Sequence, residues 1–419
     1  MRVALLGNTC NNNFALMRYL RDLGVDAHLL LYSNEGIEGN NIHYSPEYDT
    51  FHFNKWKVYI HRLPVMNGIE SIVGRLDKMR MPPSKTFLKS AFQGYDCYIG
   101  SGISPGIFAR MGKKLTVYYP YGTGVEWVGE AEFVKKLKNI NMETLLRYYV
   151  RYKQKQGIHQ SAICVNSEMS ATADTLNKMG KRFLGLSVPQ YYNREIISHT
   201  GKDPFILNII ATIKKYDFVV FSHMRQLWSK NSKKKFGNGW NTMTKNNNWL
   251  IEGFSSFFST YGNSNALLVL TEWGDDVEYS KLLVKELGIQ KQVLWLPLLA
   301  RKQLILIMRE CDISVGQFGV LHKRSWGSTT FESLANGMPT LQTFNFTQKE
   351  YTDEFGYAPP PFLDVKSKND VTKHLCDMYI DKDAKIRIGK LSKVWFDRHN
   401  GIRLAEKWLA ILKNDCKLN

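Results

Sequence analysis

Two sets of short apolar runs, each followed by a segment with helical spacing, constrain this chain more than any other feature of its sequence. The first set opens at Val3–Leu6, reaches Gly7-Asn8, and continues into Phe14–Leu23, whose apolar residues recur at helical spacing before Gly24. A strand, a loop and a helix in this order are typical of a parallel α/β sheet. Further apolar runs follow at 28–32, 96–100, 115–119 and 162–165.

A second set of alternating segments begins near residue 217. The pattern predicts strands at 217–222, 266–270, 293–296, 313–315 and 340–343, with helices at 249–260, 277–287, 304–310 and 328–336. A strand recurs after roughly 25 residues, which a doubly wound sheet requires. We therefore predict an α/β fold of two doubly wound Rossmann-like domains that face each other across a cleft. We place them at 1–195 and 196–400, followed by a helical segment at 401–419 for which packing on the N-terminal domain is one arrangement.

The chain is strongly basic, because 56 lysines and arginines outnumber 38 acidic residues and give a formal net charge of +18. Such a charge favours polyanionic partners such as nucleic acids, anionic lipids or phosphorylated substrates. No recognised nucleic-acid-binding motif accompanies it, so we do not expect a nucleic-acid partner and keep that function as an alternative. The segment 132–156 interleaves basic and apolar residues. It predicts either a helix that contacts an anionic membrane or a surface helix that packs its apolar stripe on the core.

The cysteines indicate the compartment. All six are scattered, without a Cys-x-x-Cys pair or the Cys/His spacing of a metal site. This pattern predicts a reduced, cytoplasmic protein. The apolar run at Val3–Leu6 is too short for a signal-peptide core, and no stretch approaches the ~18 apolar residues of a membrane span. Contact with a membrane would therefore be peripheral.

Candidate ligand-binding residues follow the predicted strands of the second set, because ligands bind beyond the carboxyl ends of strands in such sheets. Arg225 follows the strand at 217–222 and Lys245 precedes the next helix, so two cations are available to neutralise a diphosphate. The residues Gly327, Ser328, Thr329 and Thr330 open a helix whose first N–H groups are suited to an anion. Glu332 is placed in its first turn, where its carboxylate is able to accept from two ribose hydroxyls. Each of these candidates also has a purely structural interpretation. The two cations would then be solvated surface charges, residues 327–330 an ordinary helix N-cap, and Glu332 a charge that complements the helix dipole.

Six segments together resemble the donor-binding domain of the retaining, family 4-type GT-B glycosyltransferases (glycosyl transferases group 1). They are FSHMR at 221–225, then residues 245–254, 266–289, 292–299 and 311–319, and WGSTTFESLANGMPT at 326–340. The order and spacing of the whole series carry the resemblance. The N-terminal half is similar only in its topology.

The resemblance implies a metal-independent glycosyltransferase without a cofactor. Its donor would be a nucleoside-diphosphate sugar of the UDP or GDP type, and its acceptor a glycan or a lipid-linked glycan in surface polysaccharide assembly. Arg225 and Lys245 would be the catalytic cations that bind the diphosphate, and Glu332 would hold the ribose. Further donor contacts would come from Gly327, Ser328, Thr329, Thr330, Gln317, Phe318 and Leu298. The acceptor side would be formed by Gly7, Asn8, Asn12, Tyr121 and Gly122.

One position departs from the family pattern. The first glutamate of the Glu-x7-Glu signature should lie eight residues before Glu332, where this chain has Arg324. With His322 and Lys323, Arg324 makes this loop basic, which would suit an acidic sugar or a charged acceptor. Retention is therefore left open. A nucleotide-sugar epimerase or hydrolase on the same fold stays an alternative, although it would need a clear carboxylate or histidine pair.

Overall fold

The computed structural model describes residues 1–33, 45–65, 72, 84–120, 142–166, 172–195, 203–236, 244–262, 264–319 and 326–415. The chain divides into two compact units. Unit 1 comprises Met1–Tyr192 with Gly401–Asn419, and unit 2 comprises Asn193–Asn400. Tyr121, Gly122 and Arg324 lie outside the described residues.

Unit 1 is built on a parallel sheet with the strand order β3-β2-β1-β4-β5-β6-β7. Its strands are β1 Arg2–Leu6, β2 Asp26–Leu31, β3 Ile60–Arg62, β4 Cys97–Gly100, β5 Val117–Tyr118, β6 Ile163–Asn166 and β7 Leu184–Gly185. Its helices before the linker are α1 Asn12–Asp22, α2 Phe53–Trp56, α3 Lys85–Ala91, α4 Ser104–Met111, α5 Met142–Gln160 and α6 Ala173–Lys178. Short 3-10 turns lie at Thr9–Asn11, Pro46–Tyr48 and Lys57–Tyr59.

Unit 2 repeats this plan with the order β10-β9-β8-β11-β12-β13. Its strands are β8 Phe218–Ser222, β9 Ala266–Thr271, β10 Val293–Leu296, β11 Ile313–Val315, β12 Thr340–Gln342 and β13 Leu363–Asp364. Its helices are α7 Pro204–Ile213, α8 Lys230–Phe236, α9 Asn247–Thr260, α10 Val277–Glu286, α11 Arg301–Met308, α12 Ser328–Ala335, α13 Gln348–Phe355, α14 Lys368–Ile380 and α15 Lys382–His399, with a 3-10 turn at Gln290–Gln292. The last helix, α16 Gly401–Asp415, belongs to unit 1.

The two sheets are covered on both faces. Every residue of β8 and β9 is buried, as the continuous apolar character of their sequences predicts for a parallel sheet. In β1, Val3 and Leu5 enter one core cluster, and Ala4 and Leu6 enter another on the opposite face. The predicted doubly wound α/β architecture is confirmed for each unit.

Helix α16 supplies part of the core of unit 1. The Trp408 side chain is fully buried among residues of β1 and α1, and its Nε1 donates to the carbonyl oxygen of Ser187 at 2.8 Å. A buried indole needs such an acceptor, so this bond fixes the register of the helix. Helix α16 follows unit 2 in sequence and nevertheless forms part of the core of unit 1.

Each sheet changes direction at one pair of strands, β1 beside β4 and β8 beside β11. The chain winds outward from these pairs in opposite directions, which leaves a crevice at their carboxyl ends. Gly7 and Asn8 follow β1, and His223, Met224 and Arg225 follow β8. Most of the residues singled out from the sequence therefore lie near one of these two crevices.

The prediction that the cysteines are reduced is wrong at Cys97. This residue is disulfide-bonded, whereas Cys10, Cys164, Cys311 and Cys376 are free thiols. The scattered cysteine pattern did not reveal the bond, since such a pairing depends on the fold and not on spacing in sequence. The cytoplasmic assignment loses this support. Among the described helices none is long and apolar enough to cross a membrane.

A histidine pair on the edge of the unit 1 sheet makes the stability of this unit depend on pH. His28 Nδ1 and His61 Nε2 lie 2.9 Å apart, and His28 Nε2 lies 2.9 Å from Asp26 Oδ1. Burial lowers the pKa of both rings. The carboxylate of Asp26 opposes the lowering at His28, whereas the nearby guanidinium of Arg2 lowers the pKa of both rings further. The unfolded chain therefore takes up protons below pH 6.5 more readily than the folded protein.

We expect the free energy of unfolding to fall as the pH drops below 6.5. Urea unfolding measured at intervals between pH 7 and pH 5 tests this. The His28→Gln/His61→Gln variant should show a flatter pH dependence over that window. A wild-type curve that is flat there, or a variant with an unchanged slope, would show that the pair does not carry the effect.

Candidate functional site

The loop after β8 is tied to two neighbouring segments. The Gln226 amide donates to the Trp273 carbonyl oxygen at 2.6 Å, and the Leu227 amide donates to Asn247 Oδ1 at 2.9 Å. The Lys245 amide in turn donates to the Leu227 carbonyl oxygen at 2.8 Å. These bonds bring Arg225 and Lys245, which are twenty positions apart in sequence, to neighbouring positions at the carboxyl edge of the sheet.

A buried carboxylate organises the rest of this loop. Asp276 accepts from the amides of Trp228 at 2.5 Å and Ser229 at 2.8 Å, and from the hydroxyls of Ser229 at 2.6 Å and Ser232 at 2.7 Å. Burial alone would raise the pKa of Asp276, but these hydrogen bonds to the charged form hold it below its usual value. The bonds also fix the start of α8. Helix α8 then runs over Lys230–Phe236.

Arg225 and Lys245 form a pair of cations without a counter-charge in the described parts of the chain. Both side chains are only partly exposed, and no described acid lies within ion-pair distance of either. Burial, and secondarily the charge of Arg225, lowers the pKa of Lys245 to about 8. Two half-buried positive charges that repel each other bind an anion favourably, because the anion removes both the repulsion and part of the desolvation cost.

The beginning of α12 is open to a ligand. Its N-cap is Gly327, which has no side chain to satisfy the first amide groups, and no acidic residue lies in the first turn. Thr329 Oγ1 donates to the Gly316 carbonyl oxygen at 2.8 Å, and Gln317 Oε1 lies against Gly327, 2.8 Å from where a β-carbon would stand. Ser328 is partly exposed. This geometry is suited to an anion at the helix N-terminus.

Gln342 joins this helix start to the end of β11. Its Oε1 accepts from the Gln317 amide at 2.9 Å and from Thr330 Oγ1 at 2.7 Å. The Thr330 side chain is fully buried. The Thr330 hydroxyl is therefore bonded inside the unit, and contact of Thr330 with the donor stays a prediction.

Glu332 lies one turn deeper than predicted. Helix α12 begins at Ser328, which puts Glu332 in the second turn with its side chain buried. Its Oε2 accepts from His223 Nε2 at 2.7 Å and its Oε1 from Arg301 Nε at 2.8 Å. Burial raises the pKa of Glu332, but Arg301 and His223 outweigh this and hold it below its usual value. Glu332 is thus an ionised member of a buried cluster, whose two oxygens keep one lone pair each for a hydroxyl donor.

His223 has a polar atom left over. Its Nδ1 is buried and has no hydrogen-bond partner in the part of the chain that the structure describes. The ring stacks on Phe221, with ring centroids 5.3 Å apart. Since Glu332 is ionised and only accepts, a proton lies on His223 Nε2, and Nδ1 is the ring atom left without a partner among the described residues.

Two further predicted donor residues, Phe318 and Leu298, differ in their exposure. The Phe318 side chain is fully buried in the core of unit 2 beside Trp249, and its place on the sugar side of the donor stays a prediction. Its carbonyl oxygen accepts from Asn246 Nδ2 at 3.1 Å, which ties the Lys245 segment to the end of β11. Leu298 follows β10 and is 49% exposed.

The three predicted acceptor residues that the structure describes, Gly7, Asn8 and Asn12, are buried and partly used within their own loop. Gly7 has φ +77°, which favours glycine at this turn. Asn8 is buried; its Nδ2 donates to Asn11 Oδ1 at 2.6 Å and its Oδ1 accepts from the Phe14 amide at 3.0 Å. Asn8 therefore shapes the turn. Asn12 is also buried, and neither polar atom of its side chain has a partner among the described residues.

Sequence reasoning missed three residues of this arrangement. His223 was within a quoted motif, and its position directly after a strand was a usable signal. Asp276 and Arg301 gave no such signal, because their partners are distant in sequence. Ser229 lies 47 positions before Asp276, and Glu332 lies 31 positions after Arg301. In the described parts of the chain no three His, Cys, Asp or Glu side chains meet as metal ligands would.

No model of a known protein family matches this chain, and no curated protein sequence matches it either. Solved structures resemble it over nearly its whole length. The Anabaena protein HepE, in complex with UDP and glucose, is 12% identical with a TM-score of 0.60, covering 99% of this chain and 100% of HepE. The glycosyltransferase WaaG, involved in lipopolysaccharide biosynthesis, is 15% identical with a TM-score of 0.51, covering 98% of each chain.

A third solved structure is a putative UDP-N-acetylglucosamine 2-epimerase from Listeria monocytogenes. It is 11% identical with a TM-score of 0.52, and covers 98% of this chain and 95% of the epimerase. These likenesses show the fold. Two Rossmann-like α/β units, as the resemblance to GT-B enzymes implied, are therefore confirmed.

Proposed function

We propose that this protein is a glycosyltransferase whose donor is a nucleoside-diphosphate sugar bound at the carboxyl edge of the unit 2 sheet. The observation that carries the proposal is the pair Arg225 and Lys245, two half-buried cations without an acidic partner in the described chain. A pair of this kind costs stability in the absence of an anion. A diphosphate matches it in charge, and the open start of α12 adds uncapped amide groups.

The structural neighbours support the same class of ligand. HepE has been solved with UDP, with UDP and glucose, and with UDP-glucose. WaaG is described as a glycosyltransferase. A UDP-type donor is therefore the first one to test, with the GDP type as the second.

The chemistry of such a transfer needs stabilisation of the leaving diphosphate more than a protein base. Arg225 and Lys245 would neutralise the charge that develops on the leaving oxygen, and Gly327, Ser328 and Thr329 would hold the phosphates through backbone amides. Glu332 would accept from the ribose hydroxyls through its remaining lone pairs, and Gln317 would face the sugar.

In a retaining transfer the leaving phosphate oxygen takes the proton of the acceptor hydroxyl, so no metal and no separate base are needed. A glycan or a lipid-linked glycan is the proposed acceptor, in surface polysaccharide assembly, with Asn12 as its contact in unit 1.

One observation favours a second candidate. A nucleotide-sugar epimerase or hydrolase would need a carboxylate or histidine pair, and His223 with Glu332 brings one side chain of each kind together at 2.7 Å. Both side chains are buried and Arg301 already neutralises the carboxylate, which favours a positioning role. Incubation of UDP-sugars with and without acceptor distinguishes the two, because only an epimerase or hydrolase converts the donor alone.

Thermal unfolding with nucleotides tests the donor site directly. At 100 times its dissociation constant, a ligand stabilises the folded state by about 2.7 kcal/mol. We expect one nucleoside diphosphate, UDP first, to raise the Tm of the wild type, and Arg225→Ala to lose most of this shift. Lys291→Ala, which removes an exposed lysine of the same unit, is the matched control and should keep it. A wild type that no nucleotide stabilises would refute the proposal.

A further inference from the structure

Helix α5 carries four large side chains on its solvent face. Leu145, Tyr148, Tyr149 and Tyr152 are 53%, 48%, 41% and 60% exposed. Their positions follow the spacing i, i+3, i+4 and i+7, so they form one continuous stripe along the helix. Three exposed tyrosines and a leucine in a row are unusual for a surface that meets only water.

This stripe is not the face by which α5 packs on its unit. The packing face consists of Val150, Gln154, Gly157 and Ile158, all buried. A β-carbon on Gly157 would lie 1.9 Å from the carbonyl oxygen of Pro105, so α5 lies directly on α4. The helix therefore has two apolar faces, and the structure uses only the second one for its own core.

Cations flank the exposed stripe on both sides. Arg151 and Lys155 lie along one side of it and Lys153 along the other, as the 100° turn per residue requires. From residue 144 to residue 160 the sequence contains no aspartate or glutamate. The Lys153 Nζ lies 5.3 Å from the centre of the Tyr152 ring, which places a charge directly at the edge of the stripe.

This chemistry fits a layer that is anionic at its surface and apolar just beneath. Tyrosine rings suit the boundary between water and lipid, and lysines beside them reach anionic headgroups. A second copy of this chain would bring the same cations face to face, and a nucleic acid would not use the leucine and the tyrosine stripe as one apolar surface.

The position of the stripe in the fold points to what the contact does. Helix α5 leads into β6, which is parallel to its neighbours, so the helix runs from the carboxyl edge of the sheet back to the amino edge. The first half of α5, with Leu145–Tyr152, is therefore the half nearer the carboxyl edge. Gly7, Asn8 and Asn12 follow β1 at that same edge.

We propose that the exposed face of α5 docks unit 1 on an anionic lipid bilayer, with the carboxyl edge of its sheet toward the lipid. Docking in this orientation would present the loop after β1 to the headgroup of a lipid-linked acceptor. This role in acceptor delivery rests on the proposed glycosyltransferase function, whereas the lipid contact itself does not depend on it.

Co-sedimentation of the full chain with lipid vesicles tests the contact. We expect binding to phosphatidylcholine vesicles that contain phosphatidylglycerol and little binding to phosphatidylcholine alone. The variant Leu145→Ser/Tyr149→Ser/Tyr152→Ser should bind at least about tenfold more weakly, because it removes apolar area from the buried face. The matched control Tyr279→Ser/Leu282→Ser removes exposed apolar side chains from α10 of unit 2 and should bind like the wild type.

A second variant keeps the test valid if the triple variant fails to fold. Lys153→Glu/Lys155→Glu changes two side chains flanking the stripe and should weaken binding by at least about 25-fold, since each lysine contributes about fivefold near an anionic surface. The proposal would be overturned if the protein bound both kinds of vesicle equally, or if either variant bound as tightly as the wild type. It would also be overturned if double-stranded DNA competed with the vesicles for the protein and the triple variant retained this competition. Self-association of the wild type that the triple variant loses would assign the face to a second copy instead. The Tm shift with UDP, measured in the same variants, reports separately on the donor site.

Discussion

Replacing Lys245 by methionine should stabilise the ligand-free protein by about 2–3 kcal/mol at pH 7 while it removes nucleotide binding. The pKa of Lys245 is about 8 in the folded protein against 10.5 as its ordinary value. A folded-state pKa below the unfolded one means that the charged lysine opposes folding. This cost is complete below pH 8 and disappears as the pH rises toward 10.5. Methionine keeps the length and apolar stem of the side chain and removes the charge.

Urea unfolding of the wild type and Lys245→Met at pH 7 and near pH 10 measures this effect. The two proteins should differ at pH 7 and converge at the higher pH, where the wild-type lysine is neutral as well. Lys291→Met, at an exposed position, serves as the control and should leave the free energy of unfolding nearly unchanged. A destabilised Lys245→Met variant, or one that UDP still stabilises like the wild type, would contradict the assignment of Lys245 to the donor site.

Replacing Glu332 by alanine should have the opposite effect and destabilise the protein by about 3–5 kcal/mol. The side chain is buried between Arg301 and His223, and its removal leaves the guanidinium without its counter-charge. Loss of nucleotide binding in Glu332→Ala would therefore not show that Glu332 contacts the ribose.

A double variant separates charge from packing at this cluster. Arg301→Met/Glu332→Leu removes both charges together and should recover much of the stability that Glu332→Ala loses, because well-packed apolar pairs often replace buried ion pairs without cost. Urea unfolding of the single and double variants at pH 7 gives the coupling free energy. Glu332→Ala with wild-type stability would show that the cluster is not formed in solution. If the double variant is as unstable as the single one, the loss comes from packing.

The opposite signs of these two expected results separate two kinds of residue. Lys245 costs stability in the ligand-free protein, which is typical of a residue kept for binding. Glu332 contributes stability through two partners, so a substitution there would disturb the fold. Its contact with the ribose is therefore better tested by comparing the binding of UDP and of a deoxyribose analogue to the wild type.

Much of the fold was available from the sequence, because apolar periodicity depends on neighbours within a few positions. The strands at 217–222 and 266–270 agree with β8 and β9 to within a residue at each end. The helix predicted at 277–287 is α10 Val277–Glu286. Irregular segments were harder to predict. Strand β3 at Ile60–Arg62 and helix α8 at Lys230–Phe236 have weak local patterns, and α8 is held by the distant Asp276.

The candidate site divides in the same way. Its place at the carboxyl ends of the unit 2 strands and its two cations could be predicted, because topology and residue type together indicate where charge collects. The environment of each side chain could not. Phe318 and Thr330 were expected to face the donor, and packing turned both inward.

The sequence by itself determined two doubly wound sheets, the edge of each at which the candidate ligand-binding residues lie, and a positive pair suited to a diphosphate. Only the tertiary structure decided that Lys245 lies beside Arg225, that Glu332 is enclosed by His223 and Arg301, and that the tyrosine stripe of α5 faces solvent. The physical reason is range. Helix and strand patterns arise from contacts within one or two turns of the chain, whereas charge pairing and exposure depend on residues that are far apart in sequence and meet only when the sheet closes.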